Sequence, residues 1–224
     1  MDLPALFINF KTYEAGTGKN ALELAKLADS ISKKEGKRIV LVVQACDIRM
    51  LAEAVSIDIF AQHIDPVSYG AHTGAILPEA VKQAGAKGTI LNHAENKCDN
   101  EFLQKAIIRA KEVGLTVMAC AESLERAKQI ASFNPKPDLL AIEPPELVGT
   151  YKAVSTAKPE LVESIVEEVG KIASIPIIAG AGIKSALDVK KALELGCSGV
   201  FVASAIVKAE NKEQAILELL SGLR

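Results

Sequence analysis

The sequence predicts an α/β fold, a single-domain parallel (β/α)8 barrel spanning residues 1–224, and three observations predict it. Short aliphatic runs alternate with segments of helical period along the whole chain, which implies parallel strands joined by right-handed crossovers. The units number eight, which is the number that closes a barrel. Hydrophobic residues make up 49% of the chain but aromatics only 4%, with no Trp, so the core must be aliphatic, as in a parallel sheet covered by helices. A doubly wound open sheet is the competing architecture, but no Gly-x-Gly-x-x-Gly follows the first strand.

The elements follow in order. Ala5 to Phe10 is an apolar strand ending in Asn9-Phe10-Lys11. Asn20 to Lys34 sets Ala21, Leu24, Ala25, Leu27, Ala28 and Ile31 at helical spacing, with Gly36 placed to cap it. Ile39 to Val43 leads to a helix over Ile48 to Val55, and Ile57 to Ala61 leads through a long polar loop to Pro78 to Gln83. Thr89 to Leu91 is the fourth strand and Glu101 to Val113 its helix. Leu115 to Cys120 precedes Leu124 to Ser132, and Leu139 to Ile142 precedes Pro159 to Ile172. Ile175 to Ala179 is followed by Ala186 to Leu195, and Gly199 to Val202 by Glu213 to Leu220.

Composition excludes several classes. Net charge is −2, and no basic stripe or stacking aromatics appear, so nucleic acid is not an expected partner. No apolar run approaches the roughly 20 residues that span a bilayer, so neither is a membrane. Met1-Asp2-Leu3-Pro4 has no basic signal-peptide region and leads into a strand. Cys46, Cys98, Cys120 and Cys197 are far apart and form no Cys-x-x-Cys, which favours free thiols in a reducing cytoplasm over zinc or disulfides. The expected location is cytoplasmic.

Barrel active sites lie at the C-terminal rim of the strands, so the chemistry is sought there. Strand 6 delivers Glu143, and the two prolines that follow cannot continue a ladder and hold the preceding backbone extended. Glu146 to Ser155 shows no helical or strand period and reads as a loop that opens and shuts. The other rim positions are Asn9 and Lys11, then Gln62, His63 and Asp65, then Asn92, His93 and Glu95, with Cys120 and Glu122 after strand 5. Lys11 is a compact charge suited to an anion or a developing oxyanion. His93 is placed to donate a hydrogen bond to a carbonyl oxygen. Gly180-Ala181-Gly182 and Ala203-Ser204 follow strands 7 and 8, where barrels hold phosphate on backbone N–H groups.

These residues carry a resemblance. Asn-Phe-Lys-Thr-Tyr (9–13), Ala-Gln-His (61–63), Gly-Ala-His-Thr-Gly (70–74), Ile-Leu-Asn-His-Ala-Glu (90–95), Ile-Glu-Pro-Pro-Glu-Leu-Val-Gly-Thr (142–150), Gly-Ala-Gly-Ile (180–183) and Val-Ala-Ser (202–204) together resemble the triosephosphate isomerase family, in its short archaeal form. The resemblance runs through the whole chain. It implies interconversion of dihydroxyacetone phosphate and D-glyceraldehyde 3-phosphate through an enediolate, without cofactor or metal. Glu143 matches the base and His93 the neutral electrophile, with Asn9 and Lys11 binding substrate and Glu95 pairing with Lys11. Backbone near Val148, Gly182, Ala203 and Ser204 matches the phosphate site, under a lid from Pro144 to Ser155.

The chain departs from the family pattern at Ala94, where many members have Ser, and at Tyr151, where a second glycine is usual. The latter predicts a slower or displaced lid hinge, since Tyr has less backbone freedom than Gly. The loop from Asp65 to Leu77, long for a βα connection, corresponds to the family's subunit contact and implies a homo-oligomer, dimer or tetramer. Two other readings compete: a phosphate-binding barrel of the sugar-phosphate epimerase type, and a non-catalytic barrel that binds a phosphorylated metabolite. A metal-dependent epimerase needs several rim ligands, and only three histidines, His63, His72 and His93, exist in the chain.

Overall fold

Alternation along the strands organises the molecule. The computed structural model of the protein describes residues 2–144, 147 and 153–223. Its eight strands are β1 (Ala5–Asn9), β2 (Arg38–Val43), β3 (Asp58–Ala61), β4 (Gly88–Leu91), β5 (Thr116–Ala121), β6 (Leu139–Ile142), β7 (Ile177–Gly180) and β8 (Gly199–Val202). All pair in parallel, each with the next, and β8 closes on β1 through Ala5–Gly199 to Ile8–Val202. The open-sheet alternative is thereby excluded.

Successive strand side chains point to opposite faces, so a barrel strand has one row inward and one outward. The inward row is a separate apolar cluster that includes Phe7, Val40, Phe60, Ile90, Met118, Cys120, Ala141, Ile178 and Phe201. Phe7 and Phe60 meet edge to face at 6.0 Å within it. The outward row, with Leu6, Ile8, Leu41, Ile59, Val117 and Leu140, packs beneath the helices in a second, larger cluster. Few aromatics suffice because the inner space is narrow and the outer layer is filled by Ala, Val, Ile and Leu.

The major helices match the expected ones in place, with ends that move by a few residues. They are α1 (Gly18–Glu35), α2 (Ile48–Ala52), α3 (Pro78–Gln83), α4 (Asn100–Glu112), α5 (Leu124–Ala131), α7 (Pro159–Ile172), α8 (Ala186–Glu194) and α10 (Lys212–Gly222). Starts are set by caps: Asp99, Ser123 and Asn211 each accept from a backbone N–H three residues on, and Ser185 with Asp188 forms a full capping box. Gly36 ends α1 with φ 62°, as expected of a left-handed cap. Two short helices were not expected, α6 (Val154–Ala157) and α9 (Ser204–Val207). The former corrects the loop reading of Glu146 to Ser155 at its end, because a single turn is too short to show a period. No helix among the described residues is long and apolar enough to cross a membrane.

Candidate functional site

Extending the inward rows past the ends of the strands gives the site. In β6, Leu139 and Ala141 point inward, so the next inward position is Glu143. In β1, Ala5 and Phe7 place Asn9 in the same way. Both side chains are buried at the rim, and a cleft between them is also lined by Lys11, His93 and Phe201. His93 Nε2 lies 3.3 Å from Glu143 Oε1. The imidazole packs edge-on against Phe201 at 6.1 Å.

Hydrogen bonds orient each group. His93 Nδ1 accepts from the Glu95 backbone N–H at 3.1 Å, so in the neutral ring the proton sits on Nε2, facing the carboxylate. Asn9 Oδ1 accepts from the Lys11 backbone N–H at 2.9 Å and from Gln62 Nε2 at 3.3 Å, and the same Gln62 amide donates to the Lys11 carbonyl at 2.9 Å. This clamp holds Lys11 at φ 49°, a backbone conformation unusual for a side-chain-bearing residue. Lys11 Nζ pairs with Glu95 Oε1 at 2.7 Å. Around the same cleft, Gly182, Ala203 and Ser204 contribute lining.

The base candidate is buried. Among the described residues Glu143 Oε2 has no hydrogen-bond partner. The buried Cys120 thiol stands beside this carboxylate, and burial first, then the Glu143 charge, pushes its pKa well above the usual thiol value. Gly180, the inward residue after Ile178 on β7, provides the room. A Cβ there would lie 2.7 Å from Glu143 Cγ and 3.0 Å from the Ile142 carbonyl oxygen.

A model of the family described as triosephosphate isomerase matches residues 4–221. The chain belongs to the triosephosphate isomerase family. It is 41% identical over 222 residues to a triosephosphate isomerase of Methanothermus fervidus, an alignment covering 99% of each chain. It is 43% identical over 216 residues to that of Methanocaldococcus jannaschii, covering 96% of this chain and 98% of the relative. To that of Methanobrevibacter smithii it is 42% identical over 224 residues, covering the whole of both.

For a triosephosphate isomerase family member, the structure brings together Asn9, Lys11, His93, Glu95, Glu143, Gly182, Ala203 and Ser204 around one cleft and its neighbour. Val148, expected to help bind phosphate, and Tyr151, expected to alter the hinge, lie outside the described residues. The sequence presents Gly180-Ala181-Gly182 as a phosphate turn. The structure divides the work: Gly180 makes room for Glu143, Ala181 takes φ 69°, and Gly182 lines the cleft. Glu122 pairs instead with Lys97 at 3.2 Å. The Gln62 clamp and the space at Gly180 were not read from sequence. Gln62 did signal itself by following β3 at the rim, but nothing local marks Gly180.

Proposed function

We propose that this triosephosphate isomerase family member interconverts dihydroxyacetone phosphate and D-glyceraldehyde 3-phosphate, an intramolecular aldose–ketose isomerisation, with Glu143 and His93 as the working pair. The observation that carries the reading is the 3.3 Å approach of a buried carboxylate to an imidazole nitrogen that bears the proton.

Glu143 removes a proton from the carbon next to the carbonyl. The C–H electron pair becomes the C=C bond of an enediolate, and the carbonyl π pair moves to oxygen. His93 Nε2–H donates to that oxygen as charge builds on it. Lys11 supplies the positive charge for the enediolate and the phosphate, and Asn9 a further polar contact. Glu143 then delivers the proton to the former carbonyl carbon, while the hydroxyl on the first carbon passes its proton by way of His93 Nε2 to the former carbonyl oxygen and becomes the new carbonyl, so nothing is consumed. At 3.3 Å the two groups are too close to flank a two-carbon unit, so substrate entry parts them. Burial matters because electrostatic interactions strengthen where water is excluded. The backbone of Gly182, Ala203 and Ser204 is the proposed phosphate cradle, at the rim position where barrels commonly hold that group.

We further propose that loop 65–77 contacts a second copy of the chain. The loop is pinned at its base, where Asp65 accepts from the Ile76 N–H at 2.6 Å and donates its own N–H to the Ile76 carbonyl at 3.0 Å. Its tip from 68 to 74 is exposed, and Tyr69 stands out at 66% exposure, unusual for so large an aromatic group. Sedimentation showing a fully active monomer contradicts this part.

The reaction is tested by following conversion of glyceraldehyde 3-phosphate in D₂O with a chelator present. The reading predicts turnover with deuterium incorporated at the carbon that receives the proton. Turnover with none incorporated means a hydride shift or a base shielded from solvent, and full turnover in Glu143→Gln then removes Glu143 from its role.

A further inference from the structure

Inward alternation predicts the wrong residue on β4. Ile90 faces the barrel interior, so residue 92 should be next to line the cleft. It does not: Asn92 takes φ 59°, and His93 lines the cleft in its place. A left-handed backbone is open mainly to Gly and, at some cost, to Asn and Asp. Glycine would provide the bend alone.

Asn92 provides more than the bend. It is buried, and both ends of its carboxamide are bonded. Nδ2 donates to the Cys120 carbonyl at 2.8 Å, and Oδ1 accepts from the Cys98 backbone N–H at 2.9 Å. Arg126 on α5 braces the arrangement from outside, with Nη2 3.5 Å from Asn92 Oδ1 and 3.0 Å from the Cys98 carbonyl. The turn from 93 to 97 is therefore held at both ends, to β5 and to α5. Inside it, Asn96 N–H donates to the His93 carbonyl at 2.8 Å, and Glu95 N–H donates to His93 Nδ1 at 3.1 Å. That last bond keeps the proton on Nε2. The Cys120 carbonyl that Asn92 holds belongs to the residue whose thiol lies beside Glu143, so one carboxamide ties the imidazole's turn to the strand next to the base.

We propose that Asn92, braced by Arg126, is the positioning residue that aims the His93 imidazole at the substrate and fixes its proton on Nε2. The consequence for turnover rests on the reading of His93 as the electrophile. The consequence for the imidazole does not. Small displacements of a reacting group cost about 10²-fold in rate, which sets the expected scale.

The test compares wild type with Asn92→Gly, Arg126→Met, Arg126→Lys and His93→Gln, by steady-state kinetics and by ¹⁵N NMR of histidine-labelled protein. With only three histidines the signals are separable. Asn92→Gly retains the bend and loses every side-chain bond. The proposal expects its kcat to fall about 10²-fold with KM nearly unchanged, and the two His93 nitrogens to move from distinct single-tautomer shifts toward averaged ones. Arg126→Met moves both readouts the same way by less, and Arg126→Lys restores them in part. Lowered melting temperatures with unchanged kcat and unchanged His93 shifts overturn the proposal, because a tether that is only structural gives that result. If Asn92→Gly does not fold, the Arg126→Met shifts decide alone. Full turnover in His93→Gln overturns the electrophile reading separately, while the ¹⁵N shifts of Asn92→Gly still decide whether Asn92 sets the imidazole.

Discussion

Leu6, Phe7, Leu41, Phe60 and Leu140, in the body of the barrel, have no solvent exposure, whereas the C-terminal ends of the barrel's strands carry Asn9, Asn92, His93 and Glu143 at 3%, 3%, 7% and 5%. Both regions are buried, but their polar groups are treated differently. Near the opposite end of the barrel, Asp29 is saturated: its carboxylate accepts from Ser56 N–H and Oγ, from Ile57 N–H and from Lys33. At the rim, Glu143 Oε2 has no hydrogen-bond partner among the described residues. Backbone strain divides the same way. Among the described residues the non-glycine positions with positive φ are Lys11, Asn92 and Ala181, each just past the C-terminal end of a strand. One region is built for stability, and the other holds a buried carboxylate oxygen with no described partner and strained backbone, both stabilised by the first.

The comparison predicts that stability and turnover can be damaged separately. The largest effect is expected in the body. Leu41→Ala should lower stability by about 2 to 5 kcal/mol through lost burial and a cavity, while kcat measured well below the melting temperature stays close to wild type. A large loss of kcat in a folded Leu41→Ala would erase the division. Next is Gly180→Ala, whose Cβ collides with Glu143 Cγ. Its expected result is the converse, a kcat lower by about 10²-fold with a modest change in melting temperature.

Asp29→Asn sharpens the contrast through pH. Burial alone would raise the Asp29 pKa, but hydrogen bonds from Lys33 and Ser56 outweigh it and hold the carboxyl below its ordinary value. Because the folded value is the lower one, the stability it supplies is complete above the unfolded carboxylate value and is lost as pH falls through the folded one. Asp29→Asn should therefore cost on the order of 1.5 kcal/mol at pH 7 and progressively less in acid, read from melting curves across pH. A pH-independent cost contradicts the charge argument. The smallest effect is on thiols. Cys46 is exposed, whereas Cys120 and Cys197 are buried, and burial pushes Cys197 up to about 12. Mass spectrometry after brief alkylation of native protein should find Cys46 modified first and Cys120 and Cys197 untouched.

Legibility in the sequence follows the same boundary. The sequence predicts Leu139–Ile142, Gly199–Val202 and Pro159–Ile172 at their observed ends, because short apolar runs and a proline at a helix start are local signals. The start of α1 at Gly18 was missed by two residues, since its first turn carries no apolar face. Asn9, Lys11, His93 and Glu143 are legible as rim positions because each lies at, or within two residues of, the C-terminal end of a strand, which the barrel makes the rim. What stayed hidden depends on a second element. Gly180 looks like a phosphate glycine until β6 brings Glu143 against it. Asn92 reads only as one more rim position until Arg126, far along the chain, reaches back to it.

The most direct measurement is on Glu143→Gln, for which kcat and melting temperature are determined side by side with wild type. The substitution removes the proposed base and replaces a buried ionisable carboxylate with a neutral amide of the same shape. The account predicts a kcat lower by at least about 10²- to 10⁴-fold together with a melting temperature that holds or rises. A variant that turns over normally, or one that loses stability as steeply as Leu41→Ala, would contradict it.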